Sequence, residues 1–133
     1  MAGASRPTVK GSYLNQRSAT HRHRGIDLHA APGDPVYAAD AGTIDHAGPE
    51  RVGFRGYGPH HVAINHGGVW SFYAHLDGLR VKPGDRVKPG DVIGLVASGV
   101  KPPHVHFEAA RQPYPMPSEA ERIDPSAWLR GEL

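Results

Sequence analysis

The chain has 133 residues, the length of one ordinary domain. It contains no cysteine, which excludes disulfide frameworks, thiolate metal sites and cysteine nucleophiles. A formal charge of +2 suits an anionic polymer but is too small to imply nucleic acid, and no apolar run approaches the ~20 residues of a membrane-spanning helix.

Ten histidines, 17 glycines and 13 prolines distinguish the composition. Glycine and proline favour turns joining short strands over long helices. Histidines are metal ligands and proton carriers near neutral pH. In chain order, residues 1–22 are polar and poorly periodic and read as an N-terminal arm or long loop, with one short strand expected around 12–14. Residues 1–10 lack the apolar stretch of a secretory leader. Residues 23–133 read as a single domain.

Strands are predicted at 36–39, 42–46, 61–65, 69–75, 92–97 and 105–110, each fenced by glycine or proline. The fourth follows the third through His66-Gly67-Gly68, which predicts a hairpin. Val81-Lys82-Pro83-Gly84-Asp85 recurs six residues later as Val87-Lys88-Pro89-Gly90-Asp91. Each Pro-Gly suits the centre of a type II turn, proline fixing the first φ and glycine supplying the positive one. A lysine-modified carrier domain shares such turns but leaves His23 and Asp27 unexplained. Asp124 as N-cap with Pro125 at the first helical position predicts a short terminal helix over 126–130, pinned by Trp128 and Leu129. The fold class expected is mainly β.

Three segments carry chemistry. In His104-Val105-His106-Phe107-Glu108, alternation sends His104, His106 and Glu108 to one face of a strand. Two imidazoles there, about 7 Å apart at their backbones, can bind one metal together, or one can bind while its neighbour works on water. A solvated strand face fits the same letters. In His23-Arg24-Gly25-Ile26-Asp27, a straight strand would hold the first and last residues about 13 Å apart, so sharing an ion requires a turn, which Gly25 permits. In Tyr73-Ala74-His75-Leu76, alternation puts His75 on the face of Tyr73 and Ser71. Together the segments offer imidazoles and a carboxylate sufficient for a three-ligand zinc site with a position left for water, and histidines to spare for protons.

These segments, in this order, resemble the lysostaphin/LytM-type zinc endopeptidase family. The likeness extends through Leu28 to Pro35-Val36-Tyr37-Ala38-Ala39, and through Val87-Lys88-Pro89-Gly90-Asp91-Val92-Ile93-Gly94 to Pro103-His104-Val105-His106-Phe107-Glu108. It implies an antiparallel β-sheet or sandwich of the lysostaphin-like (duplicated hybrid motif) type, with long loops around a groove. It implies His23, Asp27 and His106 as ligands of one zinc ion and His75 and His104 as catalytic histidines, without distinguishing which is the general base. Glu108 shares a face with His106 and either orients its free nitrogen or faces solvent. Tyr73, His60 and His61 are candidate substrate contacts. The loops 97–103 and 56–61 depart from the family's usual form; both are expected to border the groove.

The resemblance further implies hydrolysis of peptide bonds in the stem peptide or cross-bridge of bacterial peptidoglycan. The protein would then act at the cell wall, with no nucleic-acid partner and no membrane insertion. The chain shows neither a leader nor a wall-binding module, which suits a phage lysin or a domain cut from a larger protein. The alternative is a LytM-like module that has lost catalysis and activates a partner hydrolase; such members lack ligands, whereas all five positions are filled here.

Overall fold

The computed structural model describes residues 6–9, 25–49, 58–114 and 121–132. Short strands separated by Gly/Pro turns assemble into one nine-stranded sheet. Its elements are β1 (Ile26–His29), β2 (Pro35–Tyr37), β3 (Gly42–Pro49), β4 (His60–Asn65), β5 (Trp70–Asp77), β6 (Arg86–Val87), β7 (Val92–Val96), β8 (His104–Ala110) and β9 (Arg122–Ile123), followed by α1 (Pro125–Leu129). The main path runs β1-β8-β5-β4-β3-β6; β7 joins β2 to the end of β5, and β9 extends β8. Every pairing is antiparallel, as the mainly-β expectation requires. No helix among the described residues is long and apolar enough to cross a membrane.

Alternation divides the side chains between two faces. One face carries the main core, where Ile26, Leu28, Val62, Ile64, Tyr73, Val105 and Phe107 pack with Trp128 and Leu129 of α1. The other buries a smaller cluster of Ala63, Phe72, Ala74, Ala110 and Tyr114. The predicted hairpin is formed by β4 and β5, closed by the His66 N–H donating to the Val69 carbonyl (2.8 Å). Asp124 caps α1, accepting from the Ser126 and Ala127 amides.

The Pro-Gly turns form as expected, with Gly84 at φ +95° and Gly90 at +89°, and a third copy, Ala31-Pro32-Gly33-Asp34, matches them with Gly33 at +88°. In each, the aspartate side chain accepts from the residue that opens the turn: Ala31, Lys82 and Lys88. Each turn also exchanges a pair of backbone hydrogen bonds with one buried residue: Val96, Ile44 and Ala38 respectively. One device thus closes three corners of the sheet, satisfying backbone groups that burial would otherwise leave unpaired.

The described part of the N-terminal segment does not hang free. Thr8 and Val9 are buried, Val9 bridges Val36, and the Arg6 amide donates to the Leu129 carbonyl (2.7 Å). The Arg6 guanidinium lies 4.2 Å from the Trp128 ring centroid and pairs with Asp40 at 3.0 Å. The strand expected around 12–14 lies outside the described residues.

Candidate active site

The site grows from the register of three neighbouring strands. On β8, His106 stands opposite Ala74 of β5, and Glu108 opposite Phe72. On the other side, Asp27 of β1 stands opposite His106. Directly opposed residues of an antiparallel pair share a face, so Asp27, His106 and Glu108 all project from the side away from the main core. Ile26 and Leu28 hold β1 in that register, because they bury against the core through the opposite face. The result brings Asp27 Oδ1 to 3.4 Å from His106 Nδ1 and 3.6 Å from His104 Nε2.

Those spacings bear on a metal. A charge-assisted hydrogen bond closes to about 2.7–2.9 Å. Two donors each ~2.0–2.1 Å from a tetrahedral zinc lie about 3.4 Å apart, and carboxylate oxygen with imidazole nitrogen is an ordinary zinc donor set. Asp27 and His106 therefore fit two corners of such a site. Among the described residues no three acidic or imidazole side chains close around one point; His23, the third ligand implied by the resemblance, lies outside the described residues.

His106 is held from behind. Its Nε2–H donates to Glu108 Oε2 at 2.7 Å, which in the neutral ring leaves the Nδ1 lone pair on the side facing Asp27. Glu108 is only 1% exposed, so it does not face solvent; its other oxygen, Oε1, accepts from the guanidinium of Arg122 on β9. Burial alone would raise the Glu108 pKa, but hydrogen bonds and charge from His106 and Arg122 outweigh it and hold it below the ordinary value. Burial likewise opposes a charged His106, yet Asp27 and Glu108 push its pKa up to about 9. That value describes the metal-free arrangement.

His75 reaches the site by breaking the alternation that was expected to place it with Tyr73. It has φ +67°, the only positive φ among described residues other than glycine, and non-glycine residues adopt that region rarely. The left-handed step turns the ring away from the Tyr73 face. Its centroid lies 4.9 Å from the His104 ring and 6.4 Å from that of His106. The His75 Nδ1–H donates to the Gly58 carbonyl (2.7 Å), and the His104 Nδ1–H donates to the Pro102 carbonyl (2.7 Å). In each neutral ring Nε2 then holds the lone pair; that of His104 lies 3.6 Å from Asp27 Oδ1. Burial lowers the His75 pKa, helped by His104 and His106, against the Gly58 hydrogen bond and Asp27.

The expected substrate contacts are placed differently. Tyr73 is fully buried in the main core; its hydroxyl accepts from the Ala39 amide (2.9 Å) and lies 3.0 Å from Ser71 Oγ, and burial pushes its pKa up to about 12. It faces the core rather than a groove. His61 is also fully buried, stacked on His46 with ring centroids 4.5 Å apart and against Phe72 at 5.5 Å. His60 is half-buried, its Nδ1 3.8 Å from Asp77.

Arg122 and Gly25 are the site residues that sequence reasoning missed in these roles. Arg122 sits 14 positions from Glu108 with no motif around it; the signal was the need of a buried carboxylate for a cation. A Cβ on Gly25 would lie 2.6 Å from Glu108 Cγ and 2.2 Å from the Phe107 carbonyl oxygen, so the glycine is required by space beside Glu108.

Known proteins resemble this chain in sequence and in fold. The model for Peptidase family M23 matches residues 21–125. The lipoprotein NlpD/LppB homolog of Pseudomonas aeruginosa is 40% identical over 109 residues, covering 80% of this chain and 33% of that protein. Peptidoglycan DD-endopeptidase ShyC of Vibrio cholerae is 35% identical over 89 residues, covering 65% of this chain and 19% of that protein. The chain thus spans a third or less of these two relatives. Among solved structures, the antimicrobial peptidase lysostaphin from Staphylococcus simulans superposes with a TM-score of 0.72 at 26% identity, covering 95% of this chain and 50% of that one. A strand-built face with Asp27 and His106 opposed, inside a match of this extent, leaves one assignment: the chain belongs to Peptidase family M23.

Proposed function

We propose that the chain is a zinc-dependent endopeptidase acting on the peptides of bacterial peptidoglycan, in the stem or the cross-bridge, at the cell wall. His23, Asp27 and His106 would hold one zinc ion, and His75 and His104 would manage protons. The observation that carries this reading is the 3.4 Å approach of Asp27 Oδ1 to His106 Nδ1, beside two imidazoles whose Nδ1–H groups are committed to carbonyls. The likeness to ShyC, a peptidoglycan DD-endopeptidase, supports the substrate class.

When bound, zinc supplies a Lewis acid that polarises the scissile carbonyl and eases loss of a proton from water. The chain's own residues do the rest. Glu108 fixes the His106 ring, so that Nδ1 keeps one direction. His75 and His104 each offer an Nε2 lone pair in the neutral ring; one takes a proton from water and passes it to the leaving amine. The other, once protonated there, hydrogen-bonds the developing oxyanion. His60 is the remaining candidate for touching substrate. A non-catalytic module that activates a partner hydrolase would have no use for two oriented acceptor histidines.

Digestion of purified cell walls from several bacterial types, with and without chelator and with products identified by mass spectrometry, tests the proposal. New peptide termini that disappear with chelator and with His75→Ala support it; undigested walls under zinc-replete conditions, with zinc bound, contradict it.

A further inference from the structure

Glu108 lies in a seat with three sides. Its Oε2 accepts from His106 Nε2–H, its Oε1 accepts from the Arg122 guanidinium, and Gly25 leaves the space its Cγ fills. Arg122 is itself almost wholly buried, with a side chain 7% exposed. β9 delivers it by pairing with Ala110, two residues beyond Glu108. Its Cζ stands 5.8 Å from the Tyr114 ring centroid, within cation–π range. A cation this deep is costly unless paired, and Glu108 is its ion-pair partner among the described residues.

We propose that Arg122 is a positioning residue for the metal centre: it anchors one oxygen of Glu108 so that the other meets His106 Nε2–H, which holds the His106 ring with Nδ1 aimed at the ion. The inference rests on the reading of His106 as a zinc ligand. Its physical basis is geometric. A carboxylate oxygen can only accept, so the imidazole nitrogen facing Glu108 carries the hydrogen; in the neutral ring that binds a metal, the opposite nitrogen then holds the lone pair. Without Arg122, Oε1 would be buried without its cation, and Glu108 would turn toward whatever donor or water it could reach. The His106 ring would lose its fixed tautomer and orientation. Groups that orient a metal-binding imidazole in this way typically contribute 10- to 100-fold in affinity.

The experiment compares wild type, Arg122→Met and Arg122→Gln by two readouts other than activity. Zinc affinity is measured by chelator competition, and the tautomer of His106 is read from long-range 1H–15N correlations in the zinc-free protein at a pH above the His106 pKa, where the ring is neutral. Arg122→Met is expected to bind zinc about 10- to 100-fold more weakly and to show His106 with its proton no longer confined to Nε2. If Arg122→Met does not fold, Arg122→Gln, which keeps a donor for Oε1, carries the test, with an affinity below wild type expected. A folded variant with wild-type zinc affinity and an unchanged His106 tautomer overturns the proposal. Wild-type protein that takes up no zinc, or whose uptake is indifferent to His106→Ala, instead removes the ligand reading beneath it, and the proposal with it.

Discussion

Asp27 and His106 are 79 positions apart in the chain and directly opposite one another in the β1–β8 ladder, with Oδ1 and Nδ1 3.4 Å apart. The pair is built by register alone. Ile26 and Leu28 pull β1 onto the main core, and a shift of one residue would turn Asp27 inward and leave His106 facing an apolar side chain.

Separate jobs for the ligand and the proton-handling histidine predict different losses. His106→Ala should lose zinc and activity together. His75→Ala should retain zinc, since the proposed ligands are His23, Asp27 and His106, and should lose activity by a factor of about 10²–10⁴, the usual range for general acid–base catalysis. Metal content and peptide-release rates measured on the same preparations decide the matter; an active His75→Ala protein would refute the assigned role.

Space beside Glu108 predicts the effect of Gly25→Ala. The new Cβ would sit 2.2 Å from the Phe107 carbonyl oxygen, a backbone atom that cannot swing away like a side chain. β1 must then part locally from β8, which should lower stability by about 1–3 kcal/mol, as overpacking does. The same movement would draw Asp27 from His106. Urea unfolding together with zinc titration should show both effects; unchanged values for both would mean that β1 does not sit where it is drawn.

A second polar chain, separate from the Asp27–His106 pair, predicts a pH effect on stability. The Ala39 amide bonds the Tyr73 hydroxyl, which meets Ser71 Oγ; Ser71 Oγ lies 2.7 Å from His66 Nε2, and His66 Nδ1–H donates to the Ala41 carbonyl. Burial lowers the His66 pKa, with Arg6 adding to the effect, against the Ala41 hydrogen bond and the charge of Asp40. The unfolded chain therefore binds a proton near pH 6.5 more readily than the folded chain does. This contribution is fully present above ~6.5 and is lost as pH falls from there toward the lower folded value. Thermal unfolding between pH 7.5 and 5.5, compared with His66→Gln, should show a steeper acid decline in the wild type; equal slopes would exclude His66 as the cause.

What could be read from the letters follows the physics of each element. The strands that became β4, β5, β7 and β8 announce themselves by apolar residues between Gly/Pro turns, and Asp124-Pro125 marks α1 through its cap. β1 was missed because only Ile26 and Leu28 alternate there. β6 and β9 are two residues long, too short to carry any period. The single-face placement of His104, His106 and Glu108 was legible, since strand alternation requires it. The His75 position was not, because its left-handed φ reverses the alternation rule at that one residue. Tyr73 shows the converse: a candidate for touching substrate, it is held in the core with its hydroxyl bonded to Ala39 and Ser71. Arg122 was invisible because ion-pair partners come together through sheet pairing, whatever their separation in sequence.

Crystals of zinc-loaded protein, with anomalous diffraction collected at the zinc edge, test the central claim most directly. The account predicts one peak per chain, ~2.0–2.2 Å from both Asp27 Oδ1 and His106 Nδ1, with His23 completing the protein ligands and His75 and His104 outside bonding distance. A peak bound instead by His75 and His104, or one that leaves Asp27 without a bond to the metal, would contradict it.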